Sequence, residues 1–175
     1  MPGVKVVYIT GFMGCGKTST GRKLATVLGW SFIDLDHEIE RKENQTIKEI
    51  FSDHGEAYFR ELEYKVLRGI ELYSDSVISV GGGAPCFRDN MKFMKSKGLV
   101  IYLKMTPEQL EIRLRGKKAK RPLLMLIDEA DLQQFIYNKL LEREIWYNQA
   151  SFIFEGGDWD INAIAGKISV ALSDR

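Results

Sequence analysis

The spacing Gly11-x-x-x-x-Gly16-Lys17-Thr18 constrains this chain more than any other feature. An apolar run, Val4 to Ile9, leads into it, and a helical stretch from Lys17 to Leu28 follows, closed by Gly29 as a C-cap. Glycines let the backbone curl until successive N–H groups point inward at phosphate oxygens. Lys17 then reaches the terminal phosphates, Thr18 offers its hydroxyl to Mg²⁺, and the positive end of the helix favours the same anions. A glycine-rich turn between a strand and a helix is the plainer alternative. The full spacing in a strand–loop–helix frame favours a nucleoside triphosphate site, with Gly14, Cys15, Gly16, Lys17, Thr18 and Ser19 as its contacts.

One such unit implies more of the same kind. Apolar β-branched runs recur at SFIDLD, SVISVGGG, GLVIYLKM and SFIFE, separated by helical segments. The segment after SFIDLD reads as helix broken near Asn44 and Gly55. Thr106 and Pro107 open a helix to Arg115, and Asp128 to Tyr147 reads as a long amphipathic helix. About five strands alternating with helices make an α/β fold with a buried parallel sheet. With 175 residues and no linker or repeat, positions 1–175 are expected to be a single domain. The net charge of +1 gives no global attraction to nucleic acid or membrane. No apolar run nears the ~20 residues of a membrane span. Two cysteines make no disulfide framework, so a reducing, cytoplasmic setting is expected.

Ligands in such sheets bind beyond the carboxyl ends of the strands. FIDLD places Asp34 and Asp36 there. One carboxylate serves the metal shell and the other orients or deprotonates a substrate hydroxyl, unless Asp36 merely caps the following helix. Gly81, Gly82 and Gly83 suit close approach of backbone to a ligand. Arg60 and Arg143 are either exposed helix arginines or guanidinium forks for a carboxylate; spacing alone does not choose. RLRGKKAKR holds six basic residues in nine positions, 113 to 121. Without interleaved aromatics it reads as a lid, at about 113–126, whose arginine meets the transferring phosphoryl group. Cys15 either faces the phosphates or fills space away from them.

GFMGCGKTSTGRKLA, FIDLD, IKEIFSDHGEAYFRELE, VISVGGG and RPLL stand in the order and near the spacing seen in shikimate kinases, which the chain resembles over about Tyr8 to Tyr147. The resemblance implies a three-layer, nucleoside monophosphate kinase-like fold with a parallel sheet in order 2-3-1-4-5. It implies ATP- and Mg²⁺-dependent phosphorylation of the 3-hydroxyl of shikimate, on the route to chorismate and the aromatic amino acids, by a monomer. Lys17 and Thr18 match the phosphate and magnesium residues, and Asp34 the carboxylate near the metal, acting through water. Asp36 matches the residue that holds the shikimate hydroxyls and serves as base. Arg60 and Arg143 match the carboxylate clamp, Gly81 to Gly83 the substrate-contacting backbone, and Arg121 the lid arginine that meets ATP. Phe51 and Phe59 resemble the pocket wall, Glu63 the acid that fixes Arg60, and Arg115 a residue that stacks on adenine. His37 and His54 match nothing catalytic and read as exposed. A kinase for another small polyol acid, such as gluconate, is the near rival. A GTP-hydrolysing switch is a distant one, because no guanine-specific Asn-Lys-x-Asp stretch occurs.

Overall fold

The computed structural model describes residues 4–116, 122–125 and 127–173. Five strands form one parallel sheet: β1 (Val6–Thr10), β2 (Ser31–Asp34), β3 (Ser76–Ser79), β4 (Leu99–Lys104) and β5 (Phe152–Glu155), in the order β2-β3-β1-β4-β5. The expected order is the observed one. β1 lies at the centre, paired in register with β3 and β4, and every residue of it is buried. That burial on both faces is why VVYIT reads as a continuous run instead of an alternation. Side chains still alternate. Val7 and Ile9 join the core under α1 (Lys17–Leu28) and α7 (Ile161–Ser173), while Val6 and Tyr8 join the opposite one.

Helices α2 (Leu35–Glu43), α3 (Ile47–Arg68) and α4 (Asn90–Lys97) cover that second face. The two breaks expected in the long helical segment both occur. Asn44 ends α2 in a left-handed conformation, and Gly55 interrupts α3 at φ 81°. Thr46 and Glu49 form a capping box that restarts the chain as helix between them. Thr106 and Gln109 do the same for α5 (Pro107–Leu114). The late helix, α6, runs Leu132–Tyr147 and so starts four residues after the expected Asp128. Its N-cap, Asp131, makes no capping bond, and residues 129–131 stay a turn.

Candidate active site

The C-terminal ends of β1, β2 and β3 open onto one cleft of about 700 Å³. The loop after β1 bends where Gly14 (φ 86°) and Gly16 (φ 95°) supply left-handed backbone. At Gly14 space is short as well: an added Cβ would come within 2.9 Å of Leu114, where α5 packs on the loop. Lys17 opens α1 and donates to the carbonyls of Gly11 (2.9 Å) and Phe12 (3.1 Å). Thr18 donates its hydroxyl to Asp34 Oδ2 at 2.7 Å. Asp34 Oδ1 accepts from the N–H of Asp36 and is the N-cap of α2. The helix-cap alternative considered for Asp36 therefore belongs to Asp34, and Asp36 is left for the cleft.

Asp36 keeps exposed surface toward the cleft while protein crowds its carboxyl group from behind. Lost hydration, then the neighbouring Asp34 charge, raise its pKa; Lys17 and Arg60 pull the other way. Arg60 lies across the cleft on α3, donating to Glu63 at 2.7 Å and to Glu56 at 3.1 Å. Its guanidinium lies 5.1 Å from the centre of the Phe59 ring, which packs 4.7 Å from Phe51. Both rings line the cleft. Glu63 has no exposed surface, and burial pushes it up to about 7 against the pull of Arg60. Arg143 reaches in from α6, 8% exposed, over the Phe12 ring, with no carboxylate partner among the described residues.

The three glycines after β3 hold these groups together by leaving room. None has positive φ, so conformational strain is not the reason for them. A Cβ on Gly81 would overlap Glu63 Oε1, and one on Gly83 would overlap the Arg60 guanidinium. On Gly82 it would lie 3.2 Å from the Gly11 carbonyl and 3.4 Å from Arg143. The acid, the two arginines and the phosphate loop converge on a strip of bare backbone. Tyr147 adds a hydrogen bond from its hydroxyl to the Gly82 carbonyl.

Lys17, Thr18, Ser19, Asp34, Asp36, Arg60, Arg143 and all three glycines line this one cleft, as do Gly14 and Gly16. Cys15 differs: its side chain is fully buried in the core and does not line the cleft, in keeping with the space-filling alternative. Arg121 and positions 117–120 and 126 of the expected lid lie outside the described residues. Arg115 is exposed and paired with Glu111. His37 and His54 are exposed helix residues.

Two further side chains, Arg113 and Trp159, bond to the phosphate loop. Arg113 donates to the carbonyls of Cys15 (3.4 Å) and Gly157 (2.7 Å), and Trp159 donates to the same Cys15 carbonyl at 3.2 Å. Together with Gly16, Ser19, Thr20 and Lys23 they edge a second cavity, of about 500 Å³, beside the loop. The apolar pair Leu110 and Leu114, one turn apart in the sequence and both buried in the fold, marks the face toward which the adjacent Arg113 leans. For Trp159, 144 residues from its partner, the sequence offers no such mark.

As a cation site, the pair Thr18–Asp34 fits a hard ion that takes most of its ligands from phosphate and water, as Mg²⁺ does. No group of three or more His, Cys, Asp or Glu residues able to hold a metal occurs among the described residues.

Comparison with known proteins adds sequence relatives to this geometry. The family model described as shikimate kinase matches residues 13–172. A shikimate kinase of Parabacteroides distasonis is 43% identical over 152 residues, 87% of this chain and 88% of the relative. That of Bacteroides thetaiotaomicron is 40% identical over 170 residues, 95% and 97% of the two. A crystal structure of shikimate kinase from Bacteroides thetaiotaomicron superposes with TM-score 0.85 at 39% identity, covering 97% of this chain and 98% of that one. The Acinetobacter baumannii shikimate kinase in complex with shikimate gives 0.86 at 36%, covering 98% and 95%.

Proposed function

The chain belongs to the shikimate kinase family, and from that premise we propose that its cleft transfers the terminal phosphoryl group of ATP to the 3-hydroxyl of shikimate. The observation that carries the assignment of roles is the convergence of Lys17, Asp36, Arg60 and Arg143 on one cavity. A phosphate-loop cation, a carboxylate and two guanidinium forks are what an anionic, hydroxylated acceptor and a triphosphate need together.

The loop backbone and the start of α1 cradle the ATP phosphates, and Lys17 follows the charge that builds on the transferring group. Thr18 and Asp34 would hold Mg²⁺, which would neutralise phosphate charge. The second cavity, continuous with the loop at Gly16 and Ser19, receives the rest of the nucleotide, with Arg113 at its mouth. Arg60 and Arg143 clamp the shikimate carboxylate against Gly82 and Gly83. That grip turns the ring so that its hydroxyl meets Asp36, which accepts the proton as the oxygen takes the phosphoryl group. Asp36 suits this work because its raised pKa makes it a better base than an ordinary surface carboxylate. Arg121, by its sequence position, supplies a further cation to the transferring group. The working unit is a monomer, because one chain supplies every residue named, and the two free cysteines suit a reducing, cytoplasmic setting. No described helix is long and apolar enough to cross a membrane.

Purified protein with ATP, Mg²⁺ and separate acceptors (shikimate, gluconate and nucleoside monophosphates) tests the reading. ADP should form rapidly with shikimate alone. Equal or faster turnover on gluconate would replace the acceptor assignment.

A further inference from the structure

Glu63 is an acid in an unusual position. It has no exposed surface, and Oε2 receives the Arg60 bond at 2.7 Å while Oε1 is buried with no hydrogen-bond partner among the described residues. A bare buried carboxylate oxygen is costly, and a proton on it removes the buried charge. The groups facing Glu63 come from every neighbouring element. On α3 itself they are Arg60 and, behind it, Glu56; from the start of α2, Asp36; from α6, Arg143; from the loop after β3, the Cys86 thiol. Oε1 and Asp36 Oδ1 lie on the same side of Gly81: an added Cβ there would overlap Oε1 and stand 3.4 Å from Asp36 Oδ1.

Arg60 already answers two carboxylates, Glu63 and Glu56. A substrate carboxylate arriving at the same guanidinium is a third, in a cleft that also holds Asp36. We propose that Glu63 takes up a proton from solvent as the anionic substrate binds, releasing the charge of Arg60 to the substrate while keeping Arg60 in place. The neutral acid still accepts from Arg60 through Oε2, and its new O–H at Oε1 faces Asp36. No bond other than that O–H forms, and the proton comes from buffer. Glu63 is thus a positioning residue whose charge state is coupled to substrate binding. The inference rests on the reading that Arg60 and Arg143 receive the carboxylate.

Isothermal titration of shikimate into the full-length protein near pH 7, in phosphate and in Tris buffers, measures proton exchange directly, because the two buffers differ in ionisation enthalpy. The expected result is uptake of about half a proton per shikimate bound, with affinity weakening several-fold as pH rises to 8.5. Glu63→Gln, which keeps an acceptor for Arg60, should bind shikimate with no uptake. Binding without proton exchange in the wild type overturns the inference and leaves the function intact, as does uptake that persists in Glu63→Gln. No binding of shikimate at all sinks both. Should Glu63→Gln fail to fold, the Glu side-chain carboxyl ¹³C signals of the wild type decide. One of them moving to the protonated position on adding shikimate supports the proposal, and none moving overturns it.

Discussion

Replacing Gly83 with alanine isolates what the glycine strip does. Gly83 has φ −90° and ψ −15°, which any residue adopts, so the backbone should accept the change. The new Cβ would overlap Arg60 Cζ and stand 2.5 and 2.7 Å from its two terminal nitrogens. The tip of a long side chain moves more cheaply than a helix does, so the fold should survive with Tm within a few degrees of the wild type. The guanidinium, however, must leave the face it offers to the cleft. A charge-assisted hydrogen bond contributes about 1.5–3 kcal/mol, so KM for shikimate should rise roughly ten- to hundredfold. KM for ATP should stay within about twofold, since the hydrogen bonds of Arg60 among the described residues run to Glu56 and Glu63 and not to the phosphate loop. A coupled ADP assay with each substrate varied in turn measures both. An unchanged KM for shikimate in a folded Gly83→Ala protein would refute the claim that these glycines exist to seat the arginines.

Lys17→Ala should lower kcat by about two to three orders of magnitude, the scale of one preorganised donor, with an unchanged circular dichroism spectrum; retained turnover would remove Lys17 from the transition state. Arg143→Lys should raise KM for shikimate by the loss of a bidentate fork while leaving KM for ATP alone, read in the same assay. Arg113→Ala should do the reverse, raising KM for ATP, because its contacts run to the phosphate loop and the second cavity. Thiol reagents should inactivate slowly at neutral pH: Cys15 has no exposed surface, and burial pushes the Cys86 thiol up to about 11. Timed alkylation followed by mass spectrometry checks this, and rapid labelling at Cys15 would mean that the loop opens far more readily than its packing implies.

What was legible in the sequence is what depends on near neighbours along the chain. The phosphate loop declares itself because glycines, lysine and threonine act within eight residues, and FIDLD because Asp34 and Asp36 leave one strand end together. The breaks at Asn44 and Gly55 follow from residues that take left-handed backbone. The role of the triple glycine was only half legible. Bare backbone was evident, but the bodies it makes room for come from α2, α3 and α6 and are joined to it only by folding. Spacing alone does not tell an exposed helix arginine from one in a site for the same reason; in the fold Arg60 and Arg143 both line the cleft. Arg113 and Trp159 bond to a loop carbonyl 98 and 144 residues away, which no local pattern announces. α6 starts at Leu132 and not at the expected Asp128 because residues 129–131 stay in a turn.

The most direct test of the account is the identity of the product. The protein is incubated with ATP, Mg²⁺ and shikimate, and the mixture is examined by ¹H–³¹P correlation spectroscopy. One new phosphate ester should appear, coupled to the proton on carbon 3 of the ring, in one-to-one proportion with ADP. An ester at another hydroxyl would mean that Arg60 and Arg143 turn the ring differently from the arrangement described. ADP and free phosphate without any shikimate ester would contradict the central claim.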